Sequence, residues 1–517
     1  MQTQHLDFLS TGKFSSIFLD YLSQNENLQS FSGLFPSPEN FAKQIHQKRN
    51  SYPSKNREVL KNALQNQYQN SDLTPPSALE LLTKENVFTL TTGHQLNIFT
   101  GPLYFHYKII TVINACQELN KKYPDFKFLP VYWMASEDHD FEEISYFRLF
   151  GKKYQWQSEQ KGAVGRFQSK ELATLLEQLP ENHPLFEAYL NSETLAEATR
   201  KIVHELYAHQ NLLIVDGDDT ELKKLFRPIL EQEIFEIPSY SRIRENSAQL
   251  EAKNYKAQVY PREINLFYLG ENFRERIVKK EENFEILNTE IQFSVQEIRQ
   301  EIEKSPEKFS PNVALRPVYQ EVILPNLSYT GGPGELAYWL QLKGVFEYFE
   351  IPYPILLPRN FALILASADQ KKMEKLELSE TELFIDFDTL RKKFVAENTE
   401  NSISLSSEIE ALEETLNQVK SKGMAVGLPE KMFEAEKQRL RKSLEKVEKK
   451  IAKTEEQKFE QSLNQLAKLH EKIFPNGSLQ ERTENFQTFW LNHPNFLTEI
   501  QEVLKPFDFR FYILKMD

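Results

Sequence analysis

Five times along this chain a short apolar run stops at a glycine or a polar cluster, and most of those stops lead into a helical pattern. Residues 86–92 (NVFTLTT) end at Gly93; Leu103, Tyr107, Ile110 and Ile113 then recur at helical spacing, with Pro102 suited to a first turn. Residues 128–135 (FLPVYWMA) end at Ser136-Glu137-Asp138-His139-Asp140, and residues 211–215 (NLLIV) end at Asp216-Gly217-Asp218-Asp219 before a helix over 221–235. Residues 321–325 lead into a glycine-rich stretch and a helix to about 349, and residues 354–357 end at Pro358-Arg359-Asn360. Strands alternating with helices pair in parallel, because each crossover returns the chain to the same end of the sheet. The pattern predicts an α/β, Rossmann-like, doubly wound core. The carboxyl ends of parallel strands share one edge, so the polar clusters are expected to face one crevice.

The rest of the chain attaches to that core. The first eighty residues read as mostly helical, with a polar, apolar-spaced stretch over 40–69 closed off by Pro75-Pro76. Residues 151–207 and 241–311 read as insertions of mixed pattern. Beyond about 370 the strand signal fades. Leu405, Ile409, Leu412, Leu416 and Val419 fall at heptad spacing, 423–429 breaks it, and Leu440, Leu444, Val447 and Ile451 resume it. This predicts a C-terminal antiparallel α-helical coiled-coil arm, although two amphipathic helices packed on the body would share the pattern. The expected division is a core with insertions over 1–375, the arm over 376–475, and a tail over 476–517 packing back on the core.

Charge and cysteine usage narrow the function. The chain has 62 Lys and Arg against 75 Asp and Glu, net -13, which disfavours general binding to a phosphate backbone but leaves room for a local nucleotide pocket. There is no apolar run long enough for a membrane helix, and residues 1–22, interrupted by Asp7 and Asp20, do not resemble a signal peptide. Cys116 is the only cysteine, so no intrachain disulfide is possible and a cytoplasmic address is expected. It falls in an apolar helical context, where a buried inert thiol is the expectation.

Three clusters can carry chemistry. Thr91-Thr92-Gly93-His94 fits a (His/Thr)-x-Gly-His pattern in which histidine stabilises charge on a phosphate, with Lys108 on the following helix; a capped structural turn is the competing reading. Glu137, Asp138 and Asp140 would repel one another unless a metal ion, a substrate ammonium or a protonated His139 offsets them; a solvated acidic loop is the alternative. Gly331-Gly332-Pro333-Gly334-Glu335 brings three glycines together in a chain with only 16. Positive φ or close backbone approach would explain them, with an anion at the helix start, and so would a tight structural turn. No Gly-Lys-Ser/Thr follows, so it is not a P-loop. Arg359 could hold a carboxylate or phosphate, or form a structural ion pair.

Taken together, residues 91–112 (TTGHQLNIFTGPLYFHYKIITV), 130–144 (PVYWMASEDHDFEEI), 324–347 (LPNLSYTGGPGELAYWLQLKGVFE), 352–360 (PYPILLPRN) and 477–482 (GSLQER) resemble the bacillithiol biosynthesis family of cysteine-adding enzymes. The resemblance spans most of the chain. It implies a Rossmann core with connecting insertions and an arm used for homodimerisation. It also implies a ligase that adds cysteine to the glucosamine amine of glucosaminyl malate, and a bound nucleotide, ATP or ADP. The resulting expectation makes His94, Asp138, His139 and Asp140 catalytic. Thr92, Gly93, Gln95, Lys108, Glu137, Tyr329, Gly331, Gly332, Gly334, Glu335 and Arg359 would bind substrate, and Gln480 and Arg482 the nucleotide. No metal site is assigned among these residues. Two other classes fit the same residues: a nucleotidylyltransferase with another acceptor, and a non-catalytic nucleotide-binding coiled-coil protein.

Overall fold

The computed structural model describes residues 1–179, 185–399 and 404–516. Residues 180–184, 400–403 and 517, parts of the expected first insertion, arm and tail, lie outside the described residues. The chain clusters into two compact units. The first comprises Met1–Leu9, Lys13–Ile364 and Leu479–Leu514; the second is built mainly from Leu365–Ser478.

At the centre of the first unit are β1 (Val87–His94), β2 (Lys127–Met134), β3 (Leu213–Asp216), β4 (Asn326–Gly331) and β5 (Ile355–Pro358), ordered β5-β4-β1-β2-β3 with every neighbouring pair parallel. Four helices bear on the site: α1 (Tyr104–Lys122), α2 (Thr220–Glu236), α3 (Arg316–Ile323) and α4 (Pro333–Trp339). All eight residues of β1 are buried. Phe88 and Leu90 pack with Val112, Ala115, Cys116 and Leu119 of α1 and with Phe128, Leu327, Ile355 and Leu357 of the neighbouring strands. The alternate residues Thr89 and Thr91 donate to Asn326 Oδ1 at 3.2 and 2.8 Å. A strand buried on both faces thus carries hydroxyls where a partner exists to satisfy them.

The strand order has a consequence for chemistry. The chain leaves β1 towards β2 on one side and returns to β4 on the other. The crevice between the carboxyl ends of β1 and β4 is therefore a topological switch point, where open α/β sheets bind ligands.

Several expectations shift. Residues 321–325 are not a strand: α3 runs to Ile323 and the strand is Asn326–Gly331. Val318, Tyr319 and Ile323 are the buried face of that helix, which carries Pro317 in its first turn. The true strand looks loop-like because it is rich in Asn, Ser and Thr. Asn326 Nδ2 donates to Glu321 Oε1 at 2.5 Å, and the buried Glu321 pairs with Lys48 at 3.2 Å. Residues 40–69 form two helices, Phe41–Ser51 and Ser54–Gln69, with Pro53 at the break. The helix expected to reach 349 divides into α4 and Lys343–Tyr348. The amino-terminal segment opens with a strand, Gln2–Leu6.

The region 241–311 holds antiparallel strands, among them Leu266–Leu269, Arg274–Lys280 and Phe309–Pro311, within a five-stranded sheet. In the second unit, α5 (Ser406–Ala425) and α6 (Glu430–Lys458) form an antiparallel helical hairpin. The turn between them uses Gly427 at φ +85°, a conformation L side chains adopt at a cost. Lys420 pairs with both Glu430 and Glu434 at 2.6 Å across that turn. No residue of α5 is fully buried within the hairpin; Val419 and Val447 remain 47% and 44% exposed.

Candidate active site

A cavity of about 720 Å³ opens over the carboxyl ends of β1, β2 and β4. Its walls bring together Gly93, His94 and Gln95 from the first cluster, Glu137, Asp138 and His139 from the second, and Gly332, Gly334 and Glu335 from the third. Lys108, Tyr329, Arg359 and Arg482 line it as well. Four expected residues do not. Thr92 donates to the Thr330 carbonyl at 2.8 Å inside the sheet, and Gly331 lies within β4. Asp140 lines an adjoining acidic pocket with Glu142 and Glu143, which shares Gln95, Asp138 and His139 with the main cavity. Gln480 uses both ends of its amide on the backbone of Ile364, at 2.9 and 3.1 Å.

Glu335 organises the switch-point side. Its carboxylate accepts from Lys108 Nζ at 2.6 Å, Tyr329 Oη at 2.6 Å and the Gly332 amide at 2.9 Å. Burial pushes this carboxyl up, but Lys108 and the amide outweigh it and hold it below its ordinary value. Burial lowers the Lys108 ammonium in turn, against the pull of Glu335. The start of α4 is therefore occupied by the protein's own carboxylate, where an external anion was expected. Gly93, Gly331, Gly332 and Gly334 all lack positive φ, and of the four only Gly331 is tight, where a Cβ would lie 3.0 Å from Glu335 Cβ; a Cβ at Gly334 would meet nothing within 4 Å.

The acidic loop is resolved by dispersal. Glu137, buried, pairs with the fully buried Lys223 of α2 at 2.5 Å. Asp140 accepts from the Glu143 amide and caps a short helix. Asp138 alone faces the cavity with its charge unpaired by a close cation; it accepts from Gln95 at 2.8 Å and from the His139 amide at 2.7 Å. His139 is not the proton-bearing partner expected. Arg274 donates to its Nδ1 at 2.9 Å, and burial followed by Arg274 lowers its pKa, so the ring is neutral and its one N–H is at Nε2. His94 is also held neutral, by burial first and Lys108 second.

The sequence reading missed the cationic wall. Arg262, Arg274, Arg276 and Arg316 join Lys108, Arg359 and Arg482, giving seven cationic side chains against three carboxylates in the cavity lining. Arg274 and Arg276 sit two apart on one strand of the 241–311 region, so they share a face; that i, i+2 spacing was the available signal. Arg316 Nη2, Arg276 Nε, Arg359 Nε and His94 Nε2 are buried without a protein partner among the described residues. Buried donors left open this way suit anionic oxygen on a ligand. Among the described residues no group of three or more His, Cys, Asp or Glu side chains is placed to hold a metal ion.

Comparison with known proteins matches the chain to a family. The family model for the bacillithiol biosynthesis BshC N-terminal Rossmann-like domain matches residues 1–360, and that for the BshC C-terminal coiled-coil domain matches residues 362–516. A protein of Flavobacterium johnsoniae named "Putative cysteine ligase BshC" is 41% identical, the match covering 99% of this chain and 100% of that one. Proteins of the same name from Cytophaga hutchinsonii and Flavobacterium psychrophilum are each 40% identical, covering 96% and 100% of this chain and the same shares of their own.

Proposed function

The chain belongs to the BshC family of bacillithiol biosynthesis, and from that premise we propose that it is a carbon–nitrogen ligase that joins cysteine to the glucosamine amine of glucosaminyl malate. The observation that carries this reading is the mixed charge of one cavity: an arginine-rich wall faces an unpaired carboxylate, Asp138. Substrates bearing both carboxylates and ammonium groups need both.

Asp138 binds the ammonium group of cysteine, and Gln95 fixes that carboxylate's orientation. The neutral His139 ring, its Nδ1 lone pair accepting from Arg274, carries its proton on Nε2 and donates from there to a substrate oxygen, and the proton of the attacking amine leaves to solvent. A free carboxylate has no good leaving group, so a nucleotide, ATP, is required, and the open donors of Arg276 and Arg316 fit its phosphates. When bound, the nucleotide supplies the group that turns a carboxylate oxygen into a leaving group. Trp133 and Tyr329 wall the cavity and limit water around it. The half-exposed seam of the arm supports a homodimer in which a second copy covers it, and a cytoplasmic setting for the reaction is part of the same proposal.

The test is direct. The full chain is incubated with cysteine, glucosaminyl malate and ATP, and mass spectrometry looks for the joined thiol together with AMP or ADP. Nucleotide turnover that needs no cysteine, or binding of all three without product, sinks the proposal.

A further inference from the structure

Tyr104, the first residue of α1, carries three cations around one ring. Lys108 Nζ lies 5.8 Å from the ring centroid, the Arg359 guanidinium 5.2 Å and the Arg482 guanidinium 5.9 Å. The His94 ring stands edge-on at 5.2 Å, and all five residues line the cavity. One aromatic face does not offset three positive charges. Two of them have their own carboxylates: Lys108 pairs with Glu335 at 2.6 Å, and Arg359 with the fully buried Glu481 at 2.6 Å. Arg482 is exposed and has no carboxylate partner among the described residues. The collar therefore keeps one positive charge in excess.

It also keeps unused donors. A lysine ammonium has three N–H groups; Glu335 and the Gly93 carbonyl take two. Arg359 spends Nη1 on the Asn360 carbonyl and Nη2 on Glu481, while its Nε is buried and open. Directly before that Nε the chain has Gly332, where a Cβ would lie 3.4 Å from it. A side chain there would close the space.

We propose that Lys108, Arg359 and Arg482 form a subsite for one carboxylate group, with Gly332 keeping it open. The ligase reading narrows the source to the amino acid or the malyl arm of the sugar. One excess charge matches a carboxylate. A polyphosphate would set several negative charges against it, and belongs on the wall of Arg276 and Arg316.

The test is calorimetric titration of the full chain with L-cysteine, cysteamine, L-malate and inorganic phosphate. Arg482→Gln and Gly332→Ala are compared with wild type, with Arg482→Lys as the charge-retaining control and circular dichroism to check folding. One carboxylate is expected to lose roughly ten- to hundredfold in affinity in both variants, the range of a charged hydrogen bond, and to keep most of it in Arg482→Lys. A selective loss for cysteine, with cysteamine failing to bind wild type, assigns the amino acid; a selective loss for malate assigns the malyl arm. Unchanged affinity for both carboxylates, phosphate binding more tightly than either, or no saturable carboxylate binding by wild type at millimolar concentration overturns the subsite. Carboxylate binding here without ligation would leave the subsite standing and sink the ligase reading. Ligation by Arg482→Gln at wild-type KM values would do the reverse.

Discussion

Replacing Glu335 by glutamine isolates the charge that holds the switch-point wall together. The glutamine carbonyl can accept from Lys108 and Gly332, and its amide can donate to Tyr329, so the hydrogen-bond shape survives. Lys108, whose side chain is 4% exposed, loses its counter-charge. Removing one partner of a buried pair costs about 3–5 kcal/mol, and Glu335 is 26% exposed, so the lower end applies, about 3 kcal/mol at neutral pH. The pH dependence has a defined sign. Burial already holds the folded-state Lys108 below its ordinary value, and losing Glu335 lowers it further. The folded variant sheds that proton before the unfolded chain does, so its stability rises with pH towards the ordinary lysine value of about 10.4. The wild-type carboxylate, held low, contributes above the ordinary carboxylate range and loses that contribution as pH falls through its folded value. Urea unfolding followed by tryptophan fluorescence measures this cleanly, because Trp133, Trp156, Trp339 and Trp490 all lie in the first unit. A variant as stable as wild type at neutral pH, or a deficit that grows in alkali, would refute the reasoning. Lys108→Met added to Glu335→Gln should recover most of the loss.

Asp138→Asn should keep the fold and lower product formation by about a hundredfold, the upper scale of a lost charged hydrogen bond to the substrate ammonium; wild-type turnover would remove the acidic loop from the mechanism. Cys116 is buried against β1, and burial raises its thiol well above the ordinary value, so Cys116→Ala should leave turnover unchanged, measured as joined thiol per minute. In the arm, Val419→Lys with Val447→Lys should sediment as a monomer in analytical ultracentrifugation without unfolding the hairpin, where the unsubstituted chain is expected to sediment as the proposed dimer; an unchanged sedimentation coefficient would place the second copy elsewhere or dismiss it.

The βαβ pattern, the crevice edge and the helical hairpin were readable because local periodicity produced them: Phe88 and Leu90 alternate along a strand, and Leu405 to Val419 follow a helical stripe. The sequence also supplied most of the cavity's first ring, since each cluster sits where a parallel strand must end. Where a partner distant in the chain decides the outcome, the reading failed. Asn326 is a strand residue only because Thr89, Thr91 and Glu321 satisfy it, and the charge of Glu137, in the cavity wall, is spent on Lys223. Arg274 and Arg276 come from an insertion whose pattern named no site, and Arg359 is tied to Glu481, 122 positions away. Periodicity is a property of neighbours along the chain. Whether a buried charge is spent or left for a ligand depends on neighbours in space, and only the tertiary structure supplies those.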